Sequence, residues 1–213
     1  MSDRKLIIFD FDGVLADSFD TFYPLIKDSM KHIGLSLTPN QYRGFFTGSV
    51  HQGFKDFIND NQKYLIFSEF RKVNYDRNYY NKEGGVKLFS EAPAFLKKIG
   101  KKYILTIASS GKQENIKNLL KEKRVDNFFS MILADSNYSK NKMIKEILST
   151  FQVQPSETIM ITDTIGDILI AKKFGLQTIG VTWGFHSIKT LKFAKPDHIA
   201  NNFKILYKTI KAF

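Results

Sequence analysis

The sequence predicts an α/β fold: a Rossmann-like parallel sheet core with helices on both faces, plus an inserted α-helical cap subdomain. Short, unbroken apolar runs recur along the chain, and such runs are typical of strands that are buried on both faces. Helical apolar patterns alternate with these runs, as they do in sheets with right-handed crossovers. The stretch 17–85 interrupts the alternation, because its apolar residues keep helical spacing throughout.

The core elements follow one another along the chain. The first strand is predicted at Leu6–Phe9, and later apolar runs predict strands at Tyr103–Ala108, Met131–Ala134, Thr158–Ile161 and Thr178–Val181, with a weak last strand at His198–Ala200. Helices are predicted at Ala92–Ile99, Gln113–Lys121, Asn141–Phe151, Asp167–Phe174 and Phe203–Ile210. We therefore assign residues 1–16 and 86–213 to the core and residues 17–85 to the cap.

The cap is predicted to be helical throughout. Apolar residues from Phe19 to Ile33 fall at helical spacing, and no strand pattern follows them within the insertion. Thr38-Pro39 predicts a helix N-terminus, and Gly84-Gly85 marks the return to the core. Helical spacing of the later aromatic residues favours packing between cap helices over contact with a ligand: Phe54, Phe57, Tyr64 and Phe67.

The composition excludes several classes of protein. A chain of 213 residues fits one sizeable domain, or a domain with a smaller insertion. The absence of cysteine excludes disulfides, iron–sulfur clusters, zinc fingers and cysteine nucleophiles. No apolar run approaches the roughly 18 residues that span a bilayer, so we expect a soluble, cytoplasmic protein with no membrane partner.

The chain is strongly basic, with 32 Lys and Arg against 21 Asp and Glu and a net charge of +11. Such a surplus can attract nucleic acid, anionic lipid or phosphorylated metabolites. Lysines occur in every segment from Lys5 to Lys211, which favours a scattered distribution. The densest clusters, 97–102 and 121–124, lie at predicted helix ends, where cations meet the negative end of the helix dipole. A non-catalytic nucleic-acid-binding protein is the hypothesis that the charge alone supports.

Polar side chains stand where the predicted strands end. They are Asp10 and Asp12 after the first strand, Ser109 and Ser110 after the second, Lys140 at the helix after the third, and Asp163 and Asp167 after the fourth. Ligands of open α/β sheets bind beyond these strand ends. Paired carboxylates can act as nucleophile and proton carrier, and oxygen ligands suit a hard cation such as Mg²⁺. The sequence therefore predicts a catalytic and metal site at this edge.

Four segments resemble the motifs of the haloacid dehalogenase-like hydrolase superfamily, in its phosphoglycolate phosphatase-like and β-phosphoglucomutase-like branch with a helical cap. They are Asp10–Ser18, Ile107–Gly111, Ser139–Lys142 and Thr162–Asp167, and the likeness continues through Phe174–Leu176 and Gly180–Gly184. The third motif leaves two candidates for its lysine, Lys140 and Lys142. We prefer Lys140, because it directly follows the polar turn and begins the helical pattern.

The resemblance implies an Mg²⁺-dependent phosphatase that hydrolyses a small phosphorylated metabolite through an aspartyl-phosphate intermediate. Asp10 would be the nucleophile and Asp12 the general acid and base. Ser109 and Lys140 would hold the oxygens of the transferring phosphoryl group. An aspartate two residues after the nucleophile points to phosphatases and phosphomutases, so a phosphosugar mutase is the alternative enzyme.

The resemblance also implies the metal ligands. Mg²⁺ would be bound by Asp10, the backbone carbonyl of Asp12 and Asp163. Asp167 would orient the metal shell rather than bind the ion directly. The cation would offset the charge that builds up when a carboxylate approaches a phosphate.

Candidates for substrate binding are Ser110 and Gly111 in the second motif and Arg43 and His51 in the cap. The segment Phe45–His51 occupies the place of the family's substrate-specificity loop. His51 stands where relatives often have arginine, so the resemblance names no particular substrate, and an exposed structural role for His51 stays open. Nucleic acid is expected only as a phosphorylated substrate, and the oligomeric state is not predicted.

Overall fold

A computed structural model of the protein describes residues 5–79, 84–135 and 139–213. The chain divides into two compact units. The core unit consists of Met1–Asp17 and Leu88–Phe213, and the helical unit consists of Ser18–Lys87. The cap predicted at 17–85 differs from the helical unit by one residue at its start and by two at its end.

The elements run in chain order through both units. They are β1 (Leu6–Phe9), β2 (Ala16–Asp17), α1 (Phe19–His32), α2 (Pro39–Gly44), α3 (Val50–Ile58), α4 (Asn61–Tyr79), β3 (Lys87–Leu88), α5 (Ala92–Ile99), β4 (Ile104–Ser109), α6 (Gln113–Glu122), β5 (Phe129–Ala134), α7 (Lys140–Phe151), β6 (Thr158–Thr162), α8 (Ile165–Lys173), β7 (Gln177–Val181), α9 (Ile188–Leu191), β8 (His198–Ala200) and α10 (Phe203–Ala212). No helix in the described segments is both long enough and apolar enough to cross a membrane.

The core unit is built on a six-stranded sheet in the order β5-β4-β1-β6-β7-β8, and every neighbouring pair is parallel. Strand β1 lies between β4 and β6, with Phe9 beside Ile107 on one side and Ile161 on the other. The predicted α/β fold is therefore confirmed, including the weak last strand. Because β1, β4 and β6 are adjacent and parallel, their carboxyl ends meet at one edge of the sheet.

Helices cover both faces of this sheet, as predicted. Alternate residues of a strand point to opposite faces. Leu6 and Ile8 of β1 pack in a buried cluster with residues of α7 and α8. On the other face, the ring of Phe9 lies 6.2 Å from that of Phe95 in α5, and Phe95 lies 5.3 Å from Phe203 in α10. The completely buried β1 is the centre of the core.

The helical unit contains the four helices α1 to α4, with no strand between them. Its core is aromatic: the ring of Phe54 lies 5.0 Å from those of Phe45 and Phe67, and Phe54 is 2% exposed. The predicted packing role is thus confirmed for Phe54 and Phe67, whereas Phe57 and Tyr64 are half-buried.

Helix α2 begins where the sequence predicts. The Thr38 hydroxyl accepts from the backbone N–H of Gln41, whose side-chain oxygen accepts from the backbone N–H of Thr38 at 2.8 Å. This reciprocal capping box satisfies two amide groups that the helix itself cannot pair. Pro39 occupies the first turn, where its missing N–H costs nothing.

Two helices of the core begin earlier than predicted. Helix α7 starts at Lys140 instead of Asn141, and α8 starts at Ile165 instead of Asp167. Asp167 therefore lies in the first turn of α8, where the helix dipole favours a negative charge. The first shift adds Lys140 to α7, and both helices start at the carboxyl edge of the sheet.

Candidate active site

The candidate site lies where β1, β4 and β6 end. Asp10 directly follows β1, Ser109 is the last residue of β4, and Asp163 directly follows β6. The backbone N–H of Asp10 donates to the carbonyl of Ile161 at 2.9 Å, so sheet pairing continues up to this aspartate. Asp10, Ser109 and Asp163 are all buried. The parallel sheet thus brings together three side chains that are far apart in the sequence.

Lys140 joins two of the predicted carboxylates. Its ammonium nitrogen lies 2.9 Å from Oδ1 of Asp10 and 3.0 Å from Oδ2 of Asp167, and it donates to the carbonyl oxygen of Ala108 at 2.6 Å. Lys140 is 8% exposed, whereas Lys142 is exposed. Of the two lysines that the sequence leaves open, the structure therefore brings Lys140 to Asp10.

Burial and charge shift the pKa values of this pair. Burial raises the pKa of Asp10 to about 7, although the charge of Lys140 opposes the shift, and Asp167 adds to it. For Lys140, burial works against the charged form, but the carboxylates of Asp10 and Asp167 outweigh it and raise its pKa. Lys140 is therefore a buried cation that neutralises part of the carboxylate charge.

Asp163 is fully buried, and only one of its oxygens is satisfied. Oδ2 accepts from the backbone N–H of Phe185 at 2.7 Å, whereas Oδ1 has no hydrogen-bond partner among the described residues. Burial, followed by the charge of Asp10, raises the pKa of Asp163. A buried carboxylate oxygen without a partner is costly, so this position favours a bound cation.

Two glycines allow the backbone to approach this aspartate. A Cβ atom on Gly13 would lie 2.1 Å from Oδ2 of Asp163, and one on Gly184 would lie 2.3 Å from the same oxygen. Gly13 also has a φ of +75°, which disfavours other residues. Both positions therefore require glycine.

The residues present fit Mg²⁺. Within the described segments, no three side chains of His, Cys, Asp or Glu form a metal-binding group. The predicted ligand set needs only two carboxylates and a backbone carbonyl, and the unsatisfied Oδ1 of Asp163 supplies a buried acceptor at this edge. An all-oxygen set of this kind suits a hard cation.

The second motif lies beside Asp12. The backbone N–H of Gly111 donates to the hydroxyl of Ser109 at 3.1 Å. A Cβ atom on Gly111 would lie 3.4 Å from both the Ser109 hydroxyl and Oδ2 of Asp12, so these two polar atoms flank one glycine. Ser110 is exposed. The structure thus brings together Asp12, Ser109 and Gly111.

The remaining predicted residues have identifiable contacts. Asp167 accepts from the Thr162 hydroxyl at 3.4 Å, in addition to its ion pair with Lys140. In the helical unit, the Arg43 guanidinium lies 3.7 Å from the centroid of the Phe19 ring.

His51, also in the helical unit, is exposed. Its Nδ1 lies 2.9 Å from the hydroxyl of Tyr64, so it links α3 to α4. Burial and the charges of Lys55 and Arg71 lower its pKa. These contacts give His51 a structural role within the helical unit.

In the segment that follows β7, no sequence pattern assigns a role to Phe185 or His186. Besides Gly184 and the Phe185 backbone, the buried His186 contributes, because its Nδ1 accepts from the backbone N–H of Ile165 at 3.1 Å. That contact satisfies an otherwise free amide at the start of α8, the helix that carries Asp167. The signal was present, since a glycine and a histidine follow a buried apolar run here as polar residues do at the other strand ends.

Comparison with known proteins agrees with this geometry. The model of a family described as haloacid dehalogenase-like hydrolase matches residues 7–181. The chain is 33% identical over 210 residues to the probable phosphatase IndB of Dickeya dadantii, covering 94% of this chain and 90% of that protein. It is 25% identical over 196 residues to a phosphoglycolate phosphatase of Synechococcus elongatus, covering 91% of each.

A solved structure is also similar. It is a haloacid dehalogenase-like family hydrolase, SP0104 from Streptococcus pneumoniae, which aligns with a TM-score of 0.79 and 26% sequence identity. The alignment covers 99% of this chain and 100% of the other. The similarity therefore includes both units of the chain.

Proposed function

The chain belongs to the haloacid dehalogenase-like hydrolases and is a phosphatase of that family, and we propose that it hydrolyses a small phosphorylated metabolite with Mg²⁺ through an aspartyl-phosphate on Asp10. The observation that carries this proposal is the buried ion pair of Lys140 with Asp10 at 2.9 Å, at the carboxyl edge of the sheet. A lysine there can stabilise both the attacking carboxylate and an incoming phosphoryl group.

Asp10 attacks the phosphorus atom in this mechanism. Its Oδ1 accepts from its neighbour's backbone N–H, that of Phe11, at 2.9 Å and from Lys140 at the same distance. These two donors fix the orientation of the carboxylate, and a nucleophile held in one orientation loses less entropy on reaching the transition state. The phosphorus–oxygen bond to the leaving group breaks as the bond to Asp10 forms.

Asp12 transfers the protons. It gives a proton to the leaving oxygen in the first step and accepts one from the attacking water in the second. Its position beside Gly111 and Ser109 supports this role, because the small glycine leaves room next to the carboxylate. The Ser109 hydroxyl and the Lys140 ammonium group hold phosphoryl oxygens.

Mg²⁺ would be held by Asp10, the backbone carbonyl of Asp12 and Asp163. When bound, it offsets negative charge on the phosphoryl group and on the carboxylates. Phe185 positions Asp163 by donating to Oδ2, which leaves Oδ1 available as a ligand. Asp167 acts through Lys140, since it forms the second ion pair of that ammonium group.

The test is phosphate release from a panel of sugar phosphates, nucleotides, phosphoglycolate, p-nitrophenyl phosphate and 5′-phosphorylated oligonucleotides, with Asp10→Asn as the blank. We expect release with Mg²⁺ and none after treatment with EDTA. Activity that survives both EDTA and Asp10→Asn contradicts the proposal. Conversion of glucose 1-phosphate to glucose 6-phosphate without phosphate release would indicate a mutase instead.

A further inference from the structure

A basic surface of the core unit lies on α5, the turn after it and α10. It carries seven exposed lysines and one half-buried tyrosine, and we call it the lysine face: Lys97, Lys98, Lys101, Lys102, Lys204, Lys208 and Lys211, with Tyr207. In the sequence these lysines form two separate segments, which is why the charge looks scattered. The fold joins the two segments.

Direct contacts hold these segments side by side. The ammonium nitrogen of Lys98 lies 4.0 Å from the centroid of the Tyr207 ring. The hydroxyl of Tyr103, in the turn after α5, donates to the carbonyl of Ile210 near the end of α10 at 3.2 Å. On α10 the three lysines recur at spacings of four and three residues, which puts them on the same side of the helix as Tyr207.

The two helices that carry this face contain no acidic residue. The two stretches that form it, 92–103 and 203–212, contain no aspartate or glutamate, and Glu91 directly precedes the first of them. In the described part of the chain, none of the seven lysines forms an ion pair with a carboxylate. Concentrated charge of one sign produces a field that attracts a polyanion.

The lysine face does not belong to the active site. Tyr103 directly precedes β4, and the Lys5 ammonium group, which precedes β1, contacts the backbone of Phe213 after α10. The end of α10 therefore lies at the edge where the strands begin, whereas Asp10 lies where β1 ends. A phosphate bound beside Lys101, Lys102 or Lys211 would be at the opposite edge of the sheet from the nucleophile, whereas Lys204 lies one residue into α10, which follows the carboxyl end of β8.

We propose that the lysine face binds nucleic acid through its phosphate backbone and without reading its sequence. Lysines contact phosphates as point charges, and the face has no arginine for bidentate recognition of a base. Insertion of a helix into a lipid interface needs exposed apolar side chains, and the one exposed large aliphatic side chain of α10 is Ile205, at 36% exposure. The centres of protein–protein interfaces are depleted in lysine. This surface is independent of the proposed phosphatase chemistry.

The test measures fluorescence anisotropy of a labelled, unphosphorylated 20-base-pair DNA duplex of mixed sequence, with the full chain at 50 and 200 mM NaCl. We expect binding at 50 mM that weakens steeply with salt, with a slope of about −0.9 per lysine–phosphate contact. The triple variant Lys204→Gln, Lys208→Gln, Lys211→Gln should bind at least about 10-fold more weakly and have a flatter slope. A second duplex of unrelated sequence should bind equally well.

The matched control removes three exposed lysines from other parts of the core unit, Lys121→Gln, Lys145→Gln and Lys173→Gln. It has the same net charge as the face variant and should bind like the unmodified chain. Replacement of the three α10 lysines by arginine should retain binding, which separates loss of charge from loss of folding.

Several results would overturn the proposal. They are no binding at 50 mM NaCl, an equal loss in the control and face variants, or a strong preference for one duplex sequence. Vesicles of phosphatidylcholine and phosphatidylserine provide the lipid arm. Tighter binding to these vesicles than to DNA, lost in the face variant, would assign the surface to a membrane instead.

Discussion

Lys140 is the residue whose role the structure makes most specific, because its ammonium group contacts two carboxylates and a carbonyl at once. Lys142, two residues later, is exposed and offers a matched comparison. We expect Lys140→Ala to lower kcat/KM for p-nitrophenyl phosphate by about 10²–10³-fold, as loss of one donor to a developing negative charge does. Lys142→Ala should stay within about two-fold, and equal losses in both variants would refute the assignment.

Gly184 provides a second test at a single residue. A Cβ atom there would lie 2.3 Å from Oδ2 of Asp163 and 2.4 Å from the carbonyl oxygen of Gly13, so the backbone must shift. We expect Gly184→Ala to lower the free energy of unfolding by about 1–3 kcal/mol and to reduce phosphate release. A Cβ atom on Gly44 would meet no atom within 4 Å and its φ is −59°, so Gly44→Ala should not lower the free energy of unfolding and should raise it by up to about 1 kcal/mol. If Gly184→Ala has the stability and the phosphate release of the unmodified chain, the close approach of Gly184 to Asp163 is wrong.

The residues that sequence reasoning found and those that it missed differ in how they reach the site. Asp10, Ser109 and Asp163 end apolar runs, so periodicity locates them. Phe185 acts through a backbone N–H, which no side-chain pattern encodes. His186 acts on the first turn of a helix 21 residues earlier, and such a contact depends on the path of a loop.

At the scale of elements, a hydrogen-bonded pair links β7 to the turn before β8. The backbone N–H and hydroxyl of Thr178 donate to Oδ2 of Asp197 at 2.8 and 2.6 Å, and the N–H of Asp197 donates to the Thr178 hydroxyl at 3.0 Å. Burial raises the pKa of Asp197, but these hydrogen bonds outweigh it and lower the pKa below 3.8. These hydrogen bonds therefore hold the start of β8 beside β7.

Because the pKa of Asp197 is lowered in the folded state, the contribution of Asp197 to stability depends on pH in a defined direction. A group whose pKa is lower in the folded state stabilises the fold above its unfolded pKa, and that stabilisation is lost as pH falls through the folded pKa. We expect Asp197→Ala to lower the free energy of unfolding by about 1 kcal/mol at pH 7, measured by urea unfolding. The difference in unfolding free energy between the unmodified chain and this variant should become smaller below pH 4. Glu69→Ala, an exposed control, should show no such trend. A pH-independent difference would contradict the account.

The aromatic core of the helical unit has its own test. Phe54 is 2% exposed and contacts the rings of Phe45 and Phe67, so its removal leaves a cavity. We expect Phe54→Ala to lower the free energy of unfolding by about 3–5 kcal/mol. Leu65, at 60% exposure, is the control, and Leu65→Ala should change it by less than about 0.5 kcal/mol. Similar effects of the two substitutions would refute the packing.

Element existence was predictable here and element boundaries were less so. Each predicted core strand and helix is present, because buried parallel strands leave continuous apolar runs. The structure starts α7 and α8 one and two residues before the predicted positions, because Lys140 in α7 and Gly166 with Asp167 in α8 interrupt the apolar stripe in the first turn. Hydrophobic periodicity does not register such turns.

At the scale of the whole molecule, the charge of +11 changes in meaning once the fold is known. Composition favours scattered lysines, whereas the packing of α5 against α10 gathers seven of them on one face. Long-range pairing of segments determines this surface, so no local pattern could predict it. The ion pair of Lys140 with Asp10 also spans 130 residues, but its site is predictable, because Asp10 follows β1 and Lys140 begins the helix after β5.

The central claim is that Asp10 becomes phosphorylated during the reaction, and Asp12→Ala tests it most directly. Asp12 is needed to activate water but hardly needed to expel p-nitrophenol, which is a good leaving group. With p-nitrophenyl phosphate and Mg²⁺, this variant should release a burst of about one p-nitrophenol per protein and then stall. Peptide mapping should locate the phosphate on Asp10. Absence of a burst, or phosphate on another residue, would contradict the account.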